Sequence, residues 1–184
     1  WRSAHVDLRE FQPLVGADGS DSQSLDEMLE VLQAGGMDLL QAMRILVPPA
    51  TQSLEYRDTE LAAFYEYHAL NSEPWDGPAC VTFTDGTLVG AVLDRNGLRP
   101  GRWWRTIDDR VILASESGVL DVPAAQIVAK GRLQPGRMLL IDTAEGRIVP
   151  DEEIKTRLAS ELPYGEVALP AVIAAAQQGL ELTI

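Results

Sequence analysis

Three stretches carry side chains whose types and spacing could do chemistry. The first is "GADGSDS", residues 16–22, a short polar loop ahead of an apolar-periodic segment. Asp21 at the mouth of a helix could accept hydrogen bonds from a ligand ammonium, and the nearby backbone amides could hold a carboxylate. The same loop could equally be a flexible lead-in with a redundant cap. The second is "AVLDRNGLRPGRWWR", residues 91–105, which crowds Asp94, Arg95, Arg99 and Arg102 around an Asn96-Gly97 turn. Arginines beneath a loop need acidic partners, and Asp94 and Glu116 are the expected ones. The third is Cys80, inside the apolar run "ACVTF". A reactive thiol needs a helix N-terminus, a cation or a histidine to lower its pKa. None stands near it in sequence, so Cys80 reads as a small core residue. His5 and His68 lie far apart in no ligand-spaced motif, and a zinc site needs three or four matched ligands. No metal site is expected.

Composition narrows the classes further. The chain has 184 residues, 46% of them hydrophobic, enough for one domain with a real core. Its formal net charge of −13 argues against a nucleic-acid binder, which needs clustered Lys and Arg for the phosphate backbone. One cysteine excludes an internal disulfide, in keeping with a reducing, cytoplasmic setting. No apolar run approaches the roughly 18–20 residues of a membrane helix, and "WRSAHVDLRE" has no apolar signal region.

The elements that must position these residues follow from periodicity. Leu25, Met28, Leu29 and Leu32 share one helical face. "SLDE" at 24–27 has the pattern of a capping box in which Ser24 takes the amide of Glu27, and Gly35-Gly36 ends the helix. Asp38 is placed to cap a second helix carrying Leu39, Leu40, Met43, Leu46 and Val47, stopped by Pro48 and Pro49. A third follows Asp58, with Leu61, Phe64, Tyr65 and His68 on one side, and ends before Pro74. From Ala79 the pattern turns to β: two runs joined at Asp85-Gly86 read as a hairpin. Further strands are expected at 101–107, 110–115, 137–142 and 146–149, with turns at Asp108-Asp109 and Glu145-Gly146. "DEEIKTRLA" at 151–159 reads as a helix with acids at its N-terminal end. Helices first and hairpins after predict an α+β domain with a mostly antiparallel sheet. Neither GxGxxG nor GxxxxGK[ST] is present.

Several long motifs together resemble one family. "EPWDGPACVTFTDGTLVGAVLDRNGLRPGRWW", "LASESGVLDVP", "KGRLQPGRMLLIDTAEGRIVPDEEIK" and "LPYGE" are similar to the glutaminase domain of glutamate synthase large subunits. "GSDSQSLDEMLEVLQAGG" and "AAFYEYHAL" match that domain in the same order, and the resemblance runs from Trp1 to about Glu166. "DRNGLRP" and "ASESGVLD" also resemble the phosphoribosylpyrophosphate amidotransferases, a more distant branch.

The resemblance implies an N-terminal-nucleophile hydrolase-like αββα sandwich of antiparallel sheets, incomplete in this chain. In such domains an N-terminal cysteine attacks the side-chain amide of L-glutamine, releasing ammonia and then glutamate. The ammonia meets 2-oxoglutarate in a synthase domain that uses FMN and an iron–sulfur cluster. No cofactor is expected in the present segment. The sequence opens at Trp1, beyond the point where the resemblance would place the nucleophile, a substrate arginine and the oxyanion Asn-Gly. No catalytic residue is therefore assigned, Cys80 cannot stand in, and the chain by itself is expected to be inactive. Of the glutamine contacts, Asp21 maps onto the ammonium-binding position, with Gly19 and Ser20 shaping the loop. Residues 1–166 would be the C-terminal part of a glutaminase domain, completed by an N-terminal segment and a synthase domain of the same protein. Residues 167–184 would form a divergent tail or junction. "DRNGLRP" would be a structural turn, with a signalling role for Arg95 and Arg99 left open. The other readings are a non-catalytic binding or regulatory module of the same fold and a phosphoribosylpyrophosphate amidotransferase fragment.

Overall fold

Residues 13–50, 60–70 and 72–167 are described in a computed structural model. His5, the start of the third helix at Asp58 and the tail beyond Val167 lie outside them. The chain divides into two compact groups, one of Trp1–Trp75 with Lys155–Ile184 and one of Asp76–Ile154.

The first group is helical. α1 spans Asp21–Ala34, and its N-cap is Ser20, not the expected Ser24. The capping pattern occurs twice, since Ser20-Asp21-Ser22-Gln23 also puts a Gln three residues after a Ser, and the earlier copy is the one used. Ser20 Oγ accepts the Gln23 amide at 3.3 Å, which adds a turn to the helix and moves Ser24 inside it. At the other end the Gly36 amide bonds Gln33 O at 2.9 Å and the Met37 amide bonds Leu32 O at 3.0 Å. This closure requires a left-handed residue, and Gly36 supplies it with φ 91°.

α2 spans Leu39–Leu46 and is capped by Asp38, whose Oδ1 accepts the amides of Leu40 at 2.9 Å and Gln41 at 3.2 Å. Seven of its eight residues are buried, Arg44 among them, so it is an interior helix. Arg157 reaches Asp38 Oδ1 at 3.0 Å, and the acid that caps α2 is thereby paired as well. α1 packs on α2, and α2 touches α3, Glu60–Ala69. Phe64, Tyr65 and His68 of α3 are buried as the spacing implies. The Phe64 ring meets Tyr164 edge-on with centroids 5.2 Å apart.

The second group is antiparallel β. β1 (Cys80–Thr84), β2 (Leu88–Leu93), β6 (Met138–Asp142) and β7 (Arg147–Val149) form one sheet in the order β1-β2-β6-β7. β3 (Arg102–Thr106), β4 (Val111–Ala114) and β5 (Ile127–Arg132) form a second in the order β4-β3-β5. A 3-10 turn, Ala124–Gln126, leads into β5. One apolar cluster is shared by both sheets: Ala91, Leu93, Leu133 and Leu139, with Trp103, Leu113, Ile141 and Ile148 packed against it. The six expected strands and all three turns between them are present, but β5 lies in a stretch without an expected strand. Its sequence, IVAKGR, mixes glycine and two cations, and only the partner β3 makes it a strand. The helix expected at 151–159 is α4, Asp151–Ser160.

Candidate functional site

The loop ahead of α1 is tied down by its own helix. Glu27 Oε2 accepts the Gly16 amide at 2.7 Å, and Glu27 Oε1 accepts from Gln23 Nε2 at 2.8 Å. These two bonds, that from Gly16 foremost, hold the Glu27 carboxyl below its ordinary range. The Gln23 side chain in turn lies against Gly19, where an added Cβ would come within 3.1 Å of Gln23 Cδ. Ser20 Oγ sits 3.1 Å from Ser22 Oγ as well as capping the helix. Gln23 and Glu27 thus hold the loop together with Ser20 and Gly19, and the sequence had pointed to Gly19 and Ser20 alone. The i, i+4 spacing of Gln23 and Glu27 on a helix was the available signal.

Asp21 stands apart within this network. It is exposed, it is the first residue of α1, and its carboxylate has no hydrogen bond or ion pair among the described residues. Ser20 Oγ and Ser20 O occupy the amides of Gln23 and Ser24. The amides of Asp21 and Ser22 are the donors left at this helix end, beside a free carboxylate. An acceptor and two donors so arranged suit a small zwitterion better than a simple ion.

The arginine-rich turn has a different logic from the one expected. Asp94 is buried, 2% exposed, and pairs with no arginine among the described residues. Its Oδ1 accepts the Ala79 amide at 2.9 Å and its Oδ2 the Asn96 amide at 3.0 Å. It pins the end of β2 to the residue before β1 and shapes the turn at once. The turn closes with the Gly97 amide on Asp94 O at 3.0 Å, and Gly97 takes the left-handed conformation, φ 63°. Arg95 is exposed and pairs with Asp76 at 2.7 Å. Neither Arg99 nor Glu116 has an ion pair among the described residues, so the expected pairing of these arginines with Asp94 and Glu116 is corrected. An exposed arginine is solvated and needs no buried partner.

Cys80 is also corrected. The thiol is exposed, because Ala79 and Phe83 take the buried side of the strand and Cys80, Thr82 and Thr84 the other. Partial loss of water and then the charge of Asp94 push its pKa up, which leaves a protonated, poor nucleophile. Among the described residues, no group of three or more His, Cys, Asp or Glu could hold a metal ion, and no helix is long and apolar enough to cross a membrane.

Residues 2–167 match the family model described as glutamine amidotransferases class-II. The chain belongs to this family. A glutamate synthase [NADPH] large chain of Bacillus subtilis is 48% identical to it over 158 residues, 86% of this chain and 10% of that protein. A ferredoxin-dependent glutamate synthase of Pyropia yezoensis is 45% identical over 166 residues, 89% of this chain and 11% of that protein. A glutamate synthase [NADH] of Schizosaccharomyces pombe is 50% identical over 153 residues, 83% of this chain and 7% of that protein. The chain therefore spans about a tenth of the length of the curated relatives it matches.

Proposed function

We propose that this class-II amidotransferase chain is the glutamine-holding part of the glutaminase domain of a glutamate synthase. In this reading L-glutamine is hydrolysed to glutamate and ammonia, and the ammonia passes to 2-oxoglutarate in a synthase domain of the same protein. The observation that carries the assignment is the unpartnered Asp21 carboxylate beside the open amides of α1, flanked by Ser20 and Ser22, whose hydroxyls meet each other, in a loop held to the helix through Gly16 and Glu27. Asp21 holds the substrate ammonium, the Asp21 and Ser22 amides take its α-carboxylate, and Gly19 and Ser20 set the loop's path. The two antiparallel sheets with one shared core support an N-terminal-nucleophile hydrolase-like αββα sandwich. Residues 1–166 form the C-terminal part of the glutaminase domain, and 167–184 a divergent tail or junction.

The nucleophile in this reading is an N-terminal cysteine and not Cys80, whose thiol is raised in pKa. FMN and an iron–sulfur cluster belong to the synthase domain. A cluster needs several cysteine thiolates, and this sequence has one cysteine. A cytoplasmic setting goes with the same reading.

The test is Asp21→Asn in the complete protein. Loss of one charge-assisted bond of about 1.5–3 kcal/mol raises the glutamine KM roughly 10- to 150-fold. Glutamate synthesis supplied with free ammonia bypasses this site and stays at the wild-type rate. An unchanged glutamine KM removes Asp21 from the site.

A further inference from the structure

The β4-β3-β5 sheet carries an uncompensated cationic face. Residues directly opposite in an antiparallel pair share a face. The register sets Arg102 opposite Arg132 and Trp104 opposite Lys130, with Ala114 and Ile112 opposite Arg102 and Trp104 on the other side. Three cations therefore stand on neighbouring positions of one face, and its strand positions hold no acid. None of the three side chains has an ion pair or hydrogen bond among the described residues. The other face of β3 differs, with Trp103 packed against the core cluster and Arg105 lying 4.0 Å from Asp109. Like charges placed directly opposite across a pair of strands are destabilising, and in a chain of net charge −13 acids are abundant, yet none is placed on these strand positions.

A cavity of about 450 Å³ opens on the same face. Trp104, Ile127 and Lys130 line it from the sheet, and Ser117, Gly118, Leu120, Asp121 and Val122 line it from the connection after β4. A register shift at Arg105/Thr106 brings Ile127 opposite Thr106, onto the face of Trp104 and Lys130. The volume falls in the range of small-molecule sites, and the lining is apolar with a few polar groups, as such sites are.

We propose that this face binds a small organic anion. Its phosphate or carboxylate lies on the Arg102–Arg132 pair with help from Lys130, and its apolar body fills the cavity against Trp104, Ile127 and Leu120. Two guanidinium forks side by side match either anion in a bidentate manner. Asp121 lines the loop side of the cavity, which keeps the anionic group at the sheet. The site lies entirely within Asp76–Ile154 and shares no residue with the Asp21 loop.

Hydrogen–deuterium exchange on the full protein that carries this chain tests it, read on peptides covering 117–132. Phenyl phosphate and benzoate are the probes, with inorganic phosphate and phenol as their anion-only and ring-only counterparts. We expect phenyl phosphate or benzoate to slow exchange there with half-saturation on the order of 1 mM or below, and the better of the two identifies the anionic group. Inorganic phosphate acts at least about tenfold more weakly and phenol has no effect, because both halves of the ligand contribute. Arg102→Ala/Arg132→Ala raises the half-saturation about tenfold or more, whereas Arg99→Ala/Arg137→Ala, which removes equal charge away from β3 and β5, leaves it unchanged. Lys130→Gln, a single change at an exposed position, weakens binding in the same direction and stands in if the double variant misfolds. Absence of protection by both probes at millimolar concentration, equal protection by phenol, or an affinity indifferent to Arg102→Ala/Arg132→Ala and to Lys130→Gln overturns the proposal.

Discussion

Gly90→Ala is the substitution whose cost the geometry specifies most directly. Gly90 lies opposite Phe83 across the β1–β2 pair, and the Phe83 ring, 7% exposed, folds over it. A Cβ built on Gly90 would sit 2.1 Å from Phe83 Cζ, 2.4 Å from Cε2 and 2.7 Å from Cε1. These distances lie far inside van der Waals contact, so the ring must leave its position. Re-exposing a Phe side chain costs about 1.5–3 kcal/mol, in line with the 1–3 kcal/mol typical of overpacked cores. Against this, alanine reduces the entropy of the unfolded chain by about 0.4–1 kcal/mol, and no positive φ at Gly90 adds backbone strain. The expected net loss is about 1–2 kcal/mol, measured as a lowered urea midpoint with unchanged slope. The cycle is completed with Phe83→Ala, which alone costs about 3–5 kcal/mol. In that background Gly90→Ala is neutral or stabilising, a coupling of about 1–2 kcal/mol. A Gly90→Ala variant as stable as the parent, or one whose cost persists without the Phe83 ring, refutes the reasoning.

Asp94→Ala orphans the buried Ala79 amide and the more accessible Asn96 amide, for an expected loss of about 2–3 kcal/mol in denaturant melts. Asp94→Asn, which keeps one acceptor, costs less and lowers the pH at which Cys80 is alkylated, since the Asp94 charge holds that thiol up. His68 gives a pH signature. Its ring Nε2 lies 3.3 Å from Gln41 Nε2, and burial lowers its pKa from 6.5 to about 4. The unfolded chain takes up this proton below about 6.5 and the folded chain does not until about 4. Stability is therefore full above the upper value and falls as pH drops through the window, by at most ~1.4 kcal/mol per pH unit. His68→Gln flattens that part of the stability profile, and an unchanged slope shows that His68 titrates normally in the fold.

Local chemistry made much of the chain legible. Gly35-Gly36 as a helix end, Asp38 as a cap, and Asp85-Gly86 and Glu145-Gly146 as hairpin turns act over a few residues, and each forms where the sequence places it. The motifs from "GSDSQSLDEMLEVLQAGG" to "LPYGE" also fixed the family before any geometry. Where two local solutions compete, sequence alone could not choose. Ser20 and Ser24 both open capping patterns, and the Gln23–Glu27 clamp on Gly16 goes with the earlier one. Pairings made across the sheets were hidden altogether. β5 is a strand only because β3 lies beside it, Arg95 finds Asp76 and not its neighbour Asp94, and Cys80 is exposed because Phe83 takes the buried side of β1. Arg102 and Arg132 become neighbours only through the strand register. Periodicity and capping report energies of a few contiguous residues, whereas which strands pair, in what register and with which face to the core is decided by burial and backbone hydrogen bonds between segments remote in sequence.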